Sequence, residues 1–250
     1  MSLELFALSG WGYDERALEF LHGAHRSDLN IQLLDSQMLI DGERDVFNHR
    51  AYNSEGPSLY AQSFHRVVQF VREEELVLVG WSLGGFVALE AMLECGVKAS
   101  KLILISSGAR FSGGQGGGQS KSTVRAMRRA LNQAPEATLA RFYAAAGAPK
   151  APECNKFSVP ALEYGLSYLE RIDLSARLSE ITIPVLIIHG ACDEIVSLKE
   201  AEFLHERLVR SQLVVLPNAG HLLPECYGPE CCLHIEEFLF AGRSQFAVSQ

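Results

Sequence analysis

Residues 76–85 read Leu76-Val77-Leu78-Val79-Gly80-Trp81-Ser82-Leu83-Gly84-Gly85, and their reading decides the fold. Four consecutive valines and leucines predict a strand covered on both faces, the kind found in a parallel sheet. From Leu83 to Cys95 the pattern is helical. Between the two, Gly80-Trp81-Ser82-Leu83-Gly84 has the spacing G-x-S-x-G. A serine on a sharp strand-to-helix turn occupies strained backbone, so the residues two places either side must be small. Gly80 and Gly84 meet that demand. The helix that follows directs its positive N-terminus at the hydroxyl and favours developing negative charge there. An ordinary glycine-rich strand–helix turn would carry the same glycines, so the rest of the chain has to decide between the two.

On either side, short apolar runs alternate with amphipathic stretches. Strands are predicted at Leu3–Leu8, Ile31–Leu34, Leu102–Ile105, Val185–Ile188 and Leu213–Leu216. Helices are predicted at about 14–23, 58–72, 198–209 and 229–240. Strands alternating with helices imply parallel βαβ units, an α/β class with a mostly parallel, doubly wound sheet. Residues 36–57 are polar and turn-rich and read as a loop. Residues 108–180 interrupt the alternation. They open on the glycine-rich run 113–118 and continue with one or two helices over 121–147. This segment is expected to be an inserted helical cap, leaving 1–107 and 181–250 as the core.

A serine hydroxyl is a poor nucleophile without a base. After the last strand comes Asn218-Ala219-Gly220-His221, a loop leading into the final helix. Val185–Ile188 runs into His189-Gly190-Ala191-Cys192-Asp193. Ser82, Asp193 and His221 thus fall at the ends of three different strands, and the order Ser…Asp…His is that of the α/β-hydrolase fold. His221 is the candidate base and Asp193 the residue that orients it. Asp193 would serve equally as the N-cap of the helix near Leu198, Glu194 is a neighbouring rival, and His189 at a strand end suggests a buried structural role. An oxyanion hole in this fold takes one N–H from the residue after the nucleophile, here Leu83, and one from the loop after the first strand. That loop is Ser9-Gly10-Trp11-Gly12, which makes the Trp11 N–H the candidate; packing would explain Trp11 as well.

The 250 residues fit one domain with an insertion; 48% are hydrophobic and 21% charged. The start lacks a basic leader and no stretch approaches the ~20 apolar residues that span a bilayer, so a cytoplasmic location and no membrane association are expected. The net charge of −8 argues against nucleic-acid binding. Six cysteines form no C-x-x-C pair; Cys226, Cys231 and Cys232 cluster, but without zinc spacing, and no metal or organic cofactor is expected. The charge is uneven. Residues 108–171 hold nine Lys/Arg and four Glu, a balance of +5, and the remainder carries −13.

Three blocks resemble the pimeloyl-[acyl-carrier protein] methyl ester esterases of biotin synthesis. Ser9-Gly10-Trp11-Gly12 is similar to that family's HGWG, and Gly80–Gly85 matches its GWSLGG. Gly165-Leu166-Ser167-Tyr168-Leu169, with Ile172-Asp173-Leu174 and Ile183-Pro184-Val185 leading to Asp193, resembles its G-L-x-x-L-x-x-x-D-L segment. The resemblance implies Trp11 and Leu83 as the oxyanion hole, and an acyl site lined by Phe142, Tyr143, Ala144, Ala145 and Ala146 after Arg141. It also implies carrier-protein docking by Arg141. A second family arginine falls on Ala137 here, and Arg125, Arg128 and Arg129 at helical spacing are candidate substitutes; a solvated basic helix is the alternative. The chain departs from the family pattern where Ser9 replaces its first histidine and where Asp35-Ser36-Gln37-Met38 replaces D-x-x-G-x-G. The function expected is hydrolysis of the methyl ester of pimeloyl-acyl-carrier protein. A general carboxylesterase, thioesterase or C–C hydrolase is the enzymatic rival, and a catalytically silent binding protein the rival of another class.

Overall fold

Among the described residues the apolar runs form six strands: β1 (Leu3–Leu8), β2 (Leu29–Leu34), β3 (Leu76–Trp81), β4 (Lys101–Ile105), β5 (Val185–Gly190) and β6 (Ser211–Leu216). All neighbours are parallel, in the order β2-β1-β3-β4-β5-β6. The computed structural model describes residues 2–24, 28–41, 56–113, 118–148 and 157–241. Register brings the carboxyl ends of the central strands to one rim: Leu8 lies opposite Gly80, Trp81 opposite Ile105, and Gly190 opposite Leu216. In an open α/β sheet that rim is where ligands bind.

The helices are α1 (Met38–Asp41), α2 (Leu59–Val68), α3 (Leu83–Glu94), α4 (Lys121–Gln133), α5 (Pro135–Ala146), α6 (Val159–Arg171), α7 (Leu198–Arg207), α8 (Leu223–Cys226) and α9 (Gly228–Phe240). The stretch Glu15–Gly23 is a 3₁₀ helix capped by the Asp14 carboxylate, which accepts from the Arg16 N–H. Helix α3 is apolar all round and is accordingly buried, with Phe86, Val87, Ala88 and Leu89 fully enclosed. Its one buried acid, Glu90, accepts from the Ser58 N–H at 2.9 Å and the Ser58 hydroxyl at 2.5 Å. Burial raises the Glu90 carboxyl above its ordinary range, and these bonds only partly offset that. No helix among the described residues is long and apolar enough to cross a membrane.

Glycine is required where α3 crosses β1. A Cβ at Gly84 would stand 2.3 Å from the Leu8 carbonyl oxygen and 2.7 Å from its carbon. Neither atom belongs to a flexible side chain, so the helix would have to lift off the sheet. Gly84→Ala is expected to cost about 3 kcal/mol, the upper end of ordinary overpacking. For a chain of this size that lowers the thermal midpoint by roughly 6–12 °C, as a melting curve followed by circular dichroism will report.

The elements differ from the sequence reading in a few places. The helix predicted over 58–72 ends at Val68. Residues 38–41 of the expected loop form one helical turn, and 42–55 lie outside the described residues. So do 114–117 of the glycine-rich run, together with Lys150, Cys154 and Lys156. Helix α6 forms where the sequence reading predicts no separate helix. Ser158 caps it, Pro160 stands in its first turn, and Leu162, Leu166 and Leu169 are buried along one face. Helices α4, α5 and α6 all fall between β4 and β5 in the chain.

Candidate active site

Ser82 follows β3 with φ 53° and ψ −120°, left-handed backbone that a residue with a Cβ adopts only under constraint. The constraints are visible. The Ser82 N–H donates to the Ile105 carbonyl at 2.9 Å, and its own carbonyl accepts from the Gly85 N–H at 2.9 Å and from the Ser107 hydroxyl at 3.0 Å. At the head of α3 the Ser82 hydroxyl makes no helix-capping bond, which leaves it available elsewhere.

That hydroxyl lies 2.9 Å from Nε2 of His221, and Nδ1 of the same ring lies 2.8 Å from Oδ2 of Asp193. All three side chains are buried. The other carboxylate oxygen of Asp193 accepts from the N–H groups of Ile195 and Val196 at 2.8 and 2.9 Å. With both oxygens engaged, the network fits one tautomer: Nδ1–H donates to Asp193 and Nε2 accepts from Ser82. Burial by itself pushes the Asp193 carboxyl up. The charges of His221 and His189 and the hydrogen bonds from His221 and Val196 outweigh it and hold the group below its ordinary value.

The loops that carry the acid and the histidine are tied together, since the Cys192 N–H donates to the Ala219 carbonyl at 2.9 Å. Trp81, buried beside Ser82, donates from Nε1 to the His221 carbonyl at 3.3 Å. The rival readings separate here. Ser197, not Asp193, caps α7. Glu194 is exposed, while Asp193 meets the imidazole. His189 is fully buried and donates from Nε2 to the Val196 carbonyl at 2.8 Å; burial lowers its pKa below the ordinary imidazole value.

The loop after β1 lies against the serine. A Cβ at Gly10 would stand 3.3 Å from the Ser82 Cβ. The Trp11 ring packs edge-on to Phe142 with centroids 4.9 Å apart, and donates from Nε1 to the Leu162 carbonyl at 2.8 Å. Among the described residues neither the Trp11 nor the Leu83 backbone N–H has an intramolecular acceptor.

Ser82 and Trp11 share the wall of a cavity of about 490 Å³ with Arg141, Phe142 and Ala145 from α5, Val124 and Met127 from α4, and Leu166 and Leu169 from α6. The block 142–146 therefore divides. Tyr143 is buried and donates to the Gly12 carbonyl at 2.6 Å, Ala144 faces outward and Ala146 is buried; none of the three lines the cavity. The reason is helical: the cavity face of α5 is the stripe Thr138, Arg141, Phe142 and Ala145, and 143, 144 and 146 fall off it.

Two arginines of the basic cluster on α4 are ion-paired within the helices between β4 and β5. Arg125 meets Glu170 at 2.6 Å, and Arg128 binds Glu163 and, at 2.6 Å, Glu170, so both arginines clamp α4 to α6. Arg129 and Arg141 are exposed and have no acidic partner among the described residues.

A six-stranded parallel sheet with this hydrogen-bonded Ser–His–Asp chain at its carboxyl rim defines an α/β hydrolase, and the profile described as "Alpha/beta hydrolase family" matches residues 9–227. A curated relative, the pimeloyl-[acyl-carrier protein] methyl ester esterase of Vibrio vulnificus strain CMCP6, is 30% identical over 257 aligned positions, covering 96% of this chain and 94% of the relative. The chain belongs to the pimeloyl-[acyl-carrier protein] methyl ester esterase family. Solved structures agree on the fold. An esterase from Exiguobacterium antarcticum superposes with a TM-score of 0.78 at 22% identity (94% of this chain, 92% of that one). A bromoperoxidase from Bacillus anthracis gives 0.82 at 16% (96% and 92%).

Proposed function

We propose that this hydrolase is a serine esterase whose substrate is the methyl ester of pimeloyl-acyl-carrier protein. The observation that carries the reading is the pair of contacts, 2.9 Å and 2.8 Å, linking Ser82 through His221 to Asp193 at the wall of an apolar cavity. In this reading His221 takes the Ser82 proton as the oxygen attacks the ester carbonyl. The N–H groups of Trp11 and Leu83 hold the oxyanion. Methanol leaves with the proton from His221, and a water activated by the same ring then releases the free carboxylate. Asp193 keeps the imidazole in its working tautomer and stabilises the imidazolium.

The helices between β4 and β5 act as the cap, residues 108–180 over a core of 1–107 and 181–250. Val124, Met127, Phe142, Leu166 and Leu169 are suited to a polymethylene chain. Arg141 on the wall and Arg129 outside it are cations suited to an acidic carrier protein. Support for the carrier-protein substrate is the curated relative's name together with this apolar chamber.

The experiment is a comparison of kcat/KM for the carrier-protein methyl ester with that for p-nitrophenyl butyrate. At least about a tenfold preference for the carrier-protein ester is expected, the discrimination that 1–3 kcal/mol of extra contact supplies. Equal values would make the chain a general esterase.

A further inference from the structure

The turn that presents Trp11 is held by a side chain from another part of the chain. Gln37 follows β2 and is almost fully buried. Its Oε1 accepts from the Gly12 N–H at 2.7 Å. Its Nε2 donates to Oδ1 of Asp35 at 2.8 Å, and more weakly to the carbonyls of Tyr13 at 3.3 Å and Gly10 at 3.4 Å. Asp35 Oδ1 also accepts from the Gln37 N–H at 2.7 Å, which fixes the side chain that does the holding. Beside it Ser36 and Ser9 bond reciprocally: the Ser36 hydroxyl donates to the Ser9 carbonyl at 2.6 Å, and the Ser36 N–H donates to the Ser9 hydroxyl at 3.1 Å.

The Gly10 carbonyl and the Trp11 N–H belong to one planar trans peptide and point in opposite directions. The Gly10 oxygen is held by the Tyr13 N–H at 3.2 Å and by Gln37. The Trp11 N–H must then face the other way, and the Ser82 Cβ lies 3.3 Å from where a Gly10 Cβ would stand. The bond from Gly12 N–H to Gln37 fixes the next peptide plane, where Gly12 sits at φ +71°.

We infer that Gln37 is a positioning residue that sets the orientation of the Trp11 N–H toward the reacting oxygen. The inference rests on the proposed role of that N–H as an oxyanion donor. It predicts a loss confined to the transition state, because Gln37 is not part of the cavity wall and does not touch a bound acyl chain.

The test is Gln37→Met, of similar length and without hydrogen-bonding groups. On p-nitrophenyl butyrate kcat is expected to fall about 10–100-fold, the cost of a small misplacement at the reacting centre, with KM nearly unchanged. Affinity for phenylboronic acid, which forms a tetrahedral adduct on the serine oxygen, should fall by a similar factor. If Gln37→Met does not fold, Gln37→Glu carries the same two measurements, since it keeps the acceptor for Gly12 but replaces the donor facing Asp35 Oδ1 and the Gly10 and Tyr13 carbonyls with a second acceptor. A drop in thermal midpoint with kcat and boronate affinity intact overturns the positioning role alone. Wild-type protein that neither turns over esters nor is labelled at Ser82 by a fluorophosphonate overturns the reading of the site and, with it, this role.

Discussion

Ser82→Ala is expected to lower ester turnover by roughly 10⁴–10⁶-fold while leaving the fold intact. The size follows from what the hydroxyl is asked to do. It is the hydrogen-bond partner of His221 Nε2, at 2.9 Å. Without it the base has no proton to accept and no acyl-enzyme forms. What survives is the contribution of the oxyanion donors and of substrate binding to direct attack by water. The fold should hold because the constraints on the elbow are made by backbone: the Ser82 N–H to Ile105, and the Ser82 carbonyl to Gly85 and Ser107. Alanine keeps all of them, and it tolerates φ 53° about as well as serine does. Kinetics and a melting curve on the same preparation check both halves. Turnover within tenfold of wild type would remove Ser82 from the mechanism and leave the Ser–His–Asp chain as a structural network.

The parallel sheet and the elbow were legible because their signals are local. Buried central strands show as unbroken apolar runs, and the glycines at 80 and 84 stand at a fixed distance from the serine. The convergence of residues 82, 193 and 221 could be anticipated from strand ends alone, because register in a parallel sheet carries every strand terminus to one rim. Contacts between helices left no such trace. Arg125 and Arg128 read as a free basic stripe on α4, since nothing local announces that Glu163 and Glu170, seven residues apart on α6, face them. Gln37 is a harder case. Its partners at Gly12 and Tyr13 lie 25 and 24 residues away, and no periodicity links a residue to a distant turn. Trp81 is similar: its bond to the His221 carbonyl spans 140 residues.

The acid of the network gives the second large effect. Asp193→Asn is expected to reduce kcat by about 10⁴-fold, with little change in KM. The two oxygens of Asp193 are not equivalent. Oδ1 is claimed by the N–H groups of Ile195 and Val196, so in the variant the amide oxygen will take that place and the amide NH₂ will face His221. A donor then confronts Nδ1, which must give up its proton to accept. The ring proton moves to Nε2, where it points at Ser82 and cannot receive another. The lost carboxylate also leaves a distinct mark on stability. The folded-state pKa of Asp193 lies below its unfolded value, so its ionisation stabilises the fold above the unfolded pKa and that stability is lost as pH falls through the folded one. Wild-type protein should therefore lose thermal midpoint more steeply than Asp193→Asn below about pH 4. Parallel acid limbs would mean that the carboxylate's charge is not coupled to folding. A kcat within tenfold of wild type would mean that the tautomer of His221 is set by something other than residue 193.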